Sequence, residues 1–276
     1  MKMINKLLAV LLVLTVVSGC KKKESKDDTA LLAILALQSN TTCKTETLNT
    51  GGPSCQTCFG SDVPSWITDN FHCVTVTKSG TNYLFKTTNL PPHKSAYYST
   101  STGYNESMGA GRTKNPNNIS SQNITLTIPA TPTYVSSGLD STAGIDSVGI
   151  TVYGVVIFNN QAAPGDSLAT EYQTMDQSEG HPQNAGKYHY HTEPYKITSD
   201  DSKLVGIMLD GYPIYGKRSQ SGSYPTLDGT TNTTSCTTTH FPSGTYCYHV
   251  GHSGTNTGVD TYMIATSFRG RKGSSN

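Results

Sequence analysis

Two histidines two positions apart, His189 and His191, carry the most legible chemistry in this chain. They lie in Gly186-Lys187-Tyr188-His189-Tyr190-His191. On a strand, successive side chains alternate between faces, so both imidazoles share one face and Tyr188 and Tyr190 share the other. The two Cα atoms are then roughly 7 Å apart, close enough for both rings to reach one metal ion. Joined by His93, His181 or His249 from other segments, they form a nitrogen-donor set suited to Zn²⁺ or copper. Asp210 is a candidate carboxylate ligand or a partner of a ligating imidazole, with Tyr188 and Tyr190 supporting the ligands from behind. Two other readings use the same residues. In one, the Tyr and His side chains satisfy each other in a buried hydrogen-bond network. In the other, an exposed Tyr-rich surface binds a glycan, a protein or a matrix component without catalysis. Imidazoles also permit acid-base chemistry near neutral pH, although no substrate follows from that. His93 follows Pro91-Pro92, which fixes its backbone; His72, His240 and His252 fit no motif.

A second hexapeptide, Gly244-Thr245-Tyr246-Cys247-Tyr248-His249, repeats the Gly, both Tyr and the final His of the first, and so suggests a pair of similar strands. Its first histidine is replaced by Cys247. Six cysteines lie beyond Cys20, an even set that reads as disulfides in an exported chain. Cys236 and Cys247 close a short local loop, and Cys43, Cys55, Cys58 and Cys73 pair among themselves. A disulfide at Cys247 removes it as a ligand. Cys55-Gln-Thr-Cys58 also has the spacing of a zinc or redox pair, but no second such pair lies nearby.

The elements that must position these residues are strands. The body is rich in Thr, Ser, Tyr, Gly and Asn, poor in charge and almost free of helical periodicity. Strands are expected over 73–77, 82–86, 123–128, 148–158, 203–209, 246–250 and 261–268. Residues 204–209 are continuously apolar and read as a central strand buried on both faces. Asp210-Gly211 signals a type I′ hairpin turn, with 212–215 returning. The expected fold is mainly β, with antiparallel twisted sheets in a sandwich-like or barrel-like arrangement and a single large domain. No nucleophile elbow, phosphate-binding glycine loop or His-Glu-x-x-His helix is present in the sequence. Asp210-Gly211 is also what a tight turn needs irrespective of any ligand role.

Lys2 and Lys6 precede an apolar run over 7–14, and Val17-Ser18-Gly19-Cys20 follows. The run is too short to span a bilayer, and the ending has the form of a bacterial lipoprotein signal peptide, 1–19, with Cys20 acylated, palmitate included, as the new N-terminus. Residues 20–45 then read as a lipid-anchored tether, charged at first and containing a short apolar patch at 31–37. Localisation follows as the bacterial cell envelope, extracytoplasmic, with the membrane as partner through the lipid. The chain has 20 Lys plus Arg against 19 Asp plus Glu, and loss of Lys2 and Lys6 leaves 18 against 19. Such a balance offers no electrostatic footprint for nucleic acid.

Several stretches together resemble the YHYH domain, a family of exported proteins: Leu90-Pro91-Pro92-His93-Lys94-Ser95, Asn115-Pro116-Asn117 with Gln122, the stretch 149–159, and Gly180-His181. The core Tyr188-His189-Tyr190-His191, then Leu209-Asp210-Gly211-Tyr212-Pro213-Ile214-Tyr215-Gly216, and Phe268-Arg269-Gly270 complete the resemblance, which spans about 80–270. It implies a YHYH domain over 80–272, preceded by a Cys-rich part at 46–79. The family carries no settled activity, so the resemblance implies a domain and leaves catalysis open. The chain departs from the pattern at Cys247, where a second Tyr-His-Tyr-His is usual.

Overall fold

Thr125 and Thr127 alternate with buried Ile124, Leu126 and Ile128, the period-two pattern of a strand with one face in a core. Such short strands dominate the structure, a computed structural model that describes residues 41–163, 166–252 and 258–276. In chain order they are β1 (Thr41–Glu46), β2 (Cys55–Gly60), β3 (Thr75–Ser79), β4 (Asn82–Thr87), β5 (Ile124–Pro129), β6 (Gly149–Thr151) and β7 (Val156–Ile157). Then follow β8 (Gly180–Pro182), β9 (Tyr188–Tyr190), β10 (Leu204–Met208), β11 (Pro213–Tyr215), β12 (Thr233–Cys236), β13 (Thr245–His249) and β14 (Ser274–Ser275). Among the described residues two short α-helices interrupt them, α1 (Ser65–Thr68) and α2 (Leu168–Tyr172). The signal peptide 1–19, Cys20 and residues 21–40, including the patch at 31–37, lie outside the described residues. β1 occupies the last part of the stretch read as a tether, 41–45. Among the described residues no helix is long and apolar enough to cross a membrane.

The strands form a six-stranded sheet, β1-β2-β3-β4-β5-β14, and an eight-stranded sheet, β12-β13-β11-β10-β6-β7-β9-β8. Most ladders are antiparallel, as expected, but β2–β3, β7–β9 and β11–β13 are parallel, so both sheets are mixed. In the eight-stranded sheet the parallel pairs arise because the chain leaves β7 and β11, lays down β8 and β12 at the sheet edges, and only then returns. β10 sits among the central strands and all five of its residues are buried, which explains its unbroken apolar sequence. The core joins the inner faces, with Phe85 and Leu126 in one cluster with Ile150, Ile207 and Ile214.

Four sequence expectations are corrected in detail. The stretch 148–158 is two strands, because Gly154 at φ +73° turns the chain between β6 and β7. The Asp210-Gly211 hairpin forms, but only Gly211 has a positive φ, so the turn is not type I′. Gly211 N instead donates to Met208 O and Met208 N to Tyr212 O, placing the left-handed glycine after the turn as a bulge. Cys73 adopts φ +61° and delays β3 to Thr75. The stretch 261–268 is irregular: Met263, Thr266 and Phe268 donate to His191, Thr230 and Asp140 in turn, so no single partner strand holds it.

Disulfides join Cys43 to Cys58, Cys55 to Cys73, and Cys236 to Cys247. Cys55 and Cys58 are three apart on β2 and point to opposite faces, so each bonds a different partner and the zinc or redox reading of that pair is excluded. The bridges close loops of 11 to 18 residues. Loops of that length are worth ~3 kcal/mol each in unfolded-state entropy.

Candidate metal centre

β9 is flanked by β7 in parallel and β8 in antiparallel, with His181 directly opposite His189. Residues opposite each other share a face, so His181, His189 and His191 project together while Tyr188 and Tyr190 project to the other side. Gly180, on the tyrosine side, permits this packing: a Cβ there would lie 2.4 Å from the Tyr188 ring. Asn89, held at φ +57°, pins the parallel pair by donating to Tyr188 O at 2.7 Å and accepting from Val156 N at 2.9 Å.

On the histidine side, each ring has its Nδ1 proton committed. His189 Nδ1 donates to Lys187 O at 3.0 Å and His191 Nδ1 to Asn159 O at 2.6 Å. His181 Nδ1 lies 2.7 Å from Thr174 Oγ1, whose own proton goes to Glu171 O, so the hydroxyl accepts. In the neutral rings all three Nε2 atoms therefore carry lone pairs, and the three lie within 4.8 Å of one another. His189 Nε2 and His191 Nε2 are 3.0 Å apart, and His181 Nε2 is buried with no hydrogen-bond partner among the described residues. Protonation offers poor relief. Burial drives the His181 pKa down to about 3 and His191 to about 4, and with its neighbouring imidazoles holds His189 well below the usual range. A cation accepting all three lone pairs fits this arrangement. Two nitrogens on a tetrahedral zinc are themselves about 3.3 Å apart.

Glu171, from α2, supplies a carboxylate: its Oε2 is 3.5 Å from His191 Nε2 and 3.9 Å from His181 Nε2, while Oε1 accepts from Ala163 N at 2.9 Å. Burial raises its pKa. Phe158 stacks on His189 with centroids 3.8 Å apart, fixing that ring. The cluster lines a cleft of about 640 Å³ whose other walls include Asn117, Asp146 and Gln183.

The tyrosine side is closed. Tyr188 Oη donates to Asp176, which also accepts from Ser95 Oγ and Ser178 N. Burial raises the Asp176 pKa to about 6. Tyr190 Oη donates to His93 Nε2 at 2.5 Å, since His93 Nδ1 donates to Lys94 O at 2.7 Å. Of the five histidines named as ligands, the structure thus gathers three. His93 is spent on Tyr190 behind β9, and burial lowers its pKa to about 4. His249 lies on β13, with four strands between it and β9, and its Nδ1 donates to Gly216 O. Asp210 is likewise remote from the cluster: it accepts from Tyr248 Oη at 2.6 Å and Gly270 N at 2.8 Å, so it serves the second hexapeptide as well as its turn. Tyr188 and Tyr190 are both fully buried, so neither lies on a contact surface.

Residues 125–224 match the family model described as YHYH protein. Over that stretch the chain is similar to the YHYH family. The YHYH match lies inside the span of the sequence resemblance, contains all three clustered histidines and Glu171, and stops before β13. No curated protein and no solved structure matches the chain. Three disulfides fit the exported, oxidising setting of YHYH proteins. Glu171, Thr174 and Asn89 were missed by sequence reasoning. Only Ser167, whose Oγ accepts from Thr170 N as an N-cap, hinted at a helix that would deliver Glu171.

Proposed function

We propose that this chain is an extracytoplasmic metal-binding lipoprotein, anchored through Cys20, whose YHYH domain holds Zn²⁺ or copper with His181, His189 and His191. The observation that carries the reading is the convergence of three Nε2 lone pairs whose Nδ1 protons are all committed elsewhere. Glu171 supports it as a fourth donor, or as a carboxylate holding a bound water at the cleft. The protein's part is to keep three imidazoles neutral, orient them from behind through backbone carbonyls and Thr174, and leave the cleft side accessible. An ion bound there would supply Lewis-acid chemistry or, if copper, one-electron chemistry. The buried Tyr188/Tyr190 layer holds β9 in place beneath it. Against a Tyr-rich contact module stands the complete burial of both tyrosines.

Elemental analysis of the chain purified without a chelating tag tests this. Stoichiometric zinc or copper is expected, lost in a His189→Ala, His191→Ala variant; absence of metal after reconstitution with both ions refutes the site. Anchoring is read separately: Cys20→Ala should move the chain from the membrane fraction to the soluble one.

A further inference from the structure

The eight-stranded sheet is one four-stranded plan built twice. In each half a hairpin, β6–β7 or β10–β11, is followed by an edge strand, β8 or β12, and then by a strand inserted parallel to the hairpin, β9 or β13. A shift of 57 residues superposes the hairpins. Gly149 pairs with Ile157 as Gly206 does with Ile214, and Gly154 N donates to Thr151 O as Gly211 N does to Met208 O. The halves meet at β6–β10, where Ile150 pairs with its own counterpart Ile207, as at a twofold axis. The two glycines flanking that axis meet counterpart atoms: a Cβ on Gly149 would strike Ile207 O, and one on Gly206 would strike Ile150 O.

The inserted strands carry the correspondence to the histidines. Tyr190 pairs with Ile157 and Tyr248 with Ile214, so His191 corresponds to His249 and His189 to Cys247. His191 Nδ1 donates to Asn159 O, and His249 Nδ1 to the counterpart carbonyl, Gly216 O, at 2.8 Å. His181 faces His189 across the edge ladder, and Thr234 faces Cys247. The half that lacks two imidazoles has instead a disulfide from Cys247 to Cys236 on the edge strand. A cleft of about 210 Å³ lies over it, lined by Cys236, Thr234, Tyr215 and His249, counterparts among them of the residues lining the first.

We propose that Cys236, Cys247 and His249 form a second metal site, for Zn²⁺, that becomes available when the Cys236–Cys247 disulfide is reduced. Cys247 and His249 are two apart on one strand and share a face, and Cys236 is within bonding distance of Cys247 already. Two thiolates and one imidazole are a zinc donor set, with the cleft leaving a fourth position for water. A dithiol reductant supplies two electrons and two protons, leaving as its own disulfide. The two thiols formed then release their protons as zinc binds the sulfurs. Fixing the Nδ1 proton of His249 on Gly216 O leaves Nε2 as the ring atom with a lone pair to offer, as in the first cluster.

The site borrows the first cluster's plan but not its occupancy, and the two are read apart: metal bound before reduction reports the first cluster, and the increment on reduction reports the second. Zn²⁺ and, as a spectroscopic probe, Co²⁺ are titrated into the full chain before and after reduction by a phosphine, with far-UV circular dichroism followed throughout. A Cys236→Ser, Cys247→Ser variant gives the uptake due to the four N-terminal cysteines; Cys236→Ala, Cys247→Val replaces it if the serine pair does not fold. The expected result is one further equivalent of zinc in the wild type over that variant, with thiolate-to-cobalt charge-transfer absorption, weakened at least tenfold by His249→Ala. Equal increments in wild type and variant, or loss of the fold on reduction, overturn the proposal.

Discussion

Acidifying the metal-free chain should destabilise it well above the pH at which its own histidines accept protons. His93, His181 and His191 have folded pKa values of about 4, 3 and 4 against 6.5 when free, because burial penalises the imidazolium. The folded values are depressed, so their contribution is complete above 6.5 and is lost as pH falls toward 4, the unfolded chain taking protons first. With each pK unit worth ~1.4 kcal/mol, at about pH 5 these three histidines together cost roughly 6 kcal/mol. Asp176 and Asp210 act oppositely. Burial raises both from 3.8 to about 6, so their contribution is complete below 3.8 and is lost as pH rises through 6. On descent to about pH 5 they return roughly 3 kcal/mol between them. Among these five groups the histidines win by about 3 kcal/mol, a large share of the roughly 5–15 kcal/mol available to a domain; His189 and His249, also lowered by burial, add to it, and Glu106, Glu171 and Glu179, raised by burial, subtract from it. Urea unfolding of the chelated protein from about pH 7.5 to 5 should show the unfolding free energy, midpoint times slope, falling by about this amount. Zinc should add a near-constant offset over that range, because the folded rings are neutral with or without it. A stability curve flat below pH 6.5, or folded-state zinc affinity that collapses between pH 6.5 and 5, would refute the burial argument.

Two substitutions probe the scaffold under the site. Gly180→Ala should lower stability by about 1–3 kcal/mol, since its methyl meets the Tyr188 ring with no room to give; thermal melting reads the loss. Tyr190→Phe should cost about 1–3 kcal/mol by leaving His93 Nε2 a buried acceptor without its donor, while metal stoichiometry stays unchanged. A loss of metal in this variant would show that the two faces of β9 are not separable.

The alternation of His and Tyr on β9 was legible because period two is strict: knowing the strand fixes the faces. Which other histidines join was only partly legible, since that depends on pairing. His181 was reachable through its place across from His189, but nothing local distinguishes it from His93, spent behind the strand, or His249, carried into the other half of the sheet. Glu171 and Thr174 act through tertiary position on and after a short helix whose sequence has no apolar stripe. The mainly β character and the disulfide grouping followed from composition and compartment. The stretch 148–158 looked like one strand because Gly154, which breaks it, sits among residues that favour strands on both sides. The repeated hexapeptide exposed only the last strand of a longer duplication, since the hairpins have kept few identical residues beyond Gly149, Ile150, Gly154 and Ile157 and their partners.

The edges of the eight-stranded sheet are unequal in how they can fray. At one end β12 is bonded covalently to β13 through Cys236–Cys247, while at the other β8 is held to β9 by a three-residue ladder and the side chains around His181. Local opening starts where backbone bonds are fewest and no covalent link restrains the edge. Amides of β8 are therefore the ones to exchange with solvent earlier, and the sheet unzips from its histidine end, leaving the disulfide-bound half as the last to open.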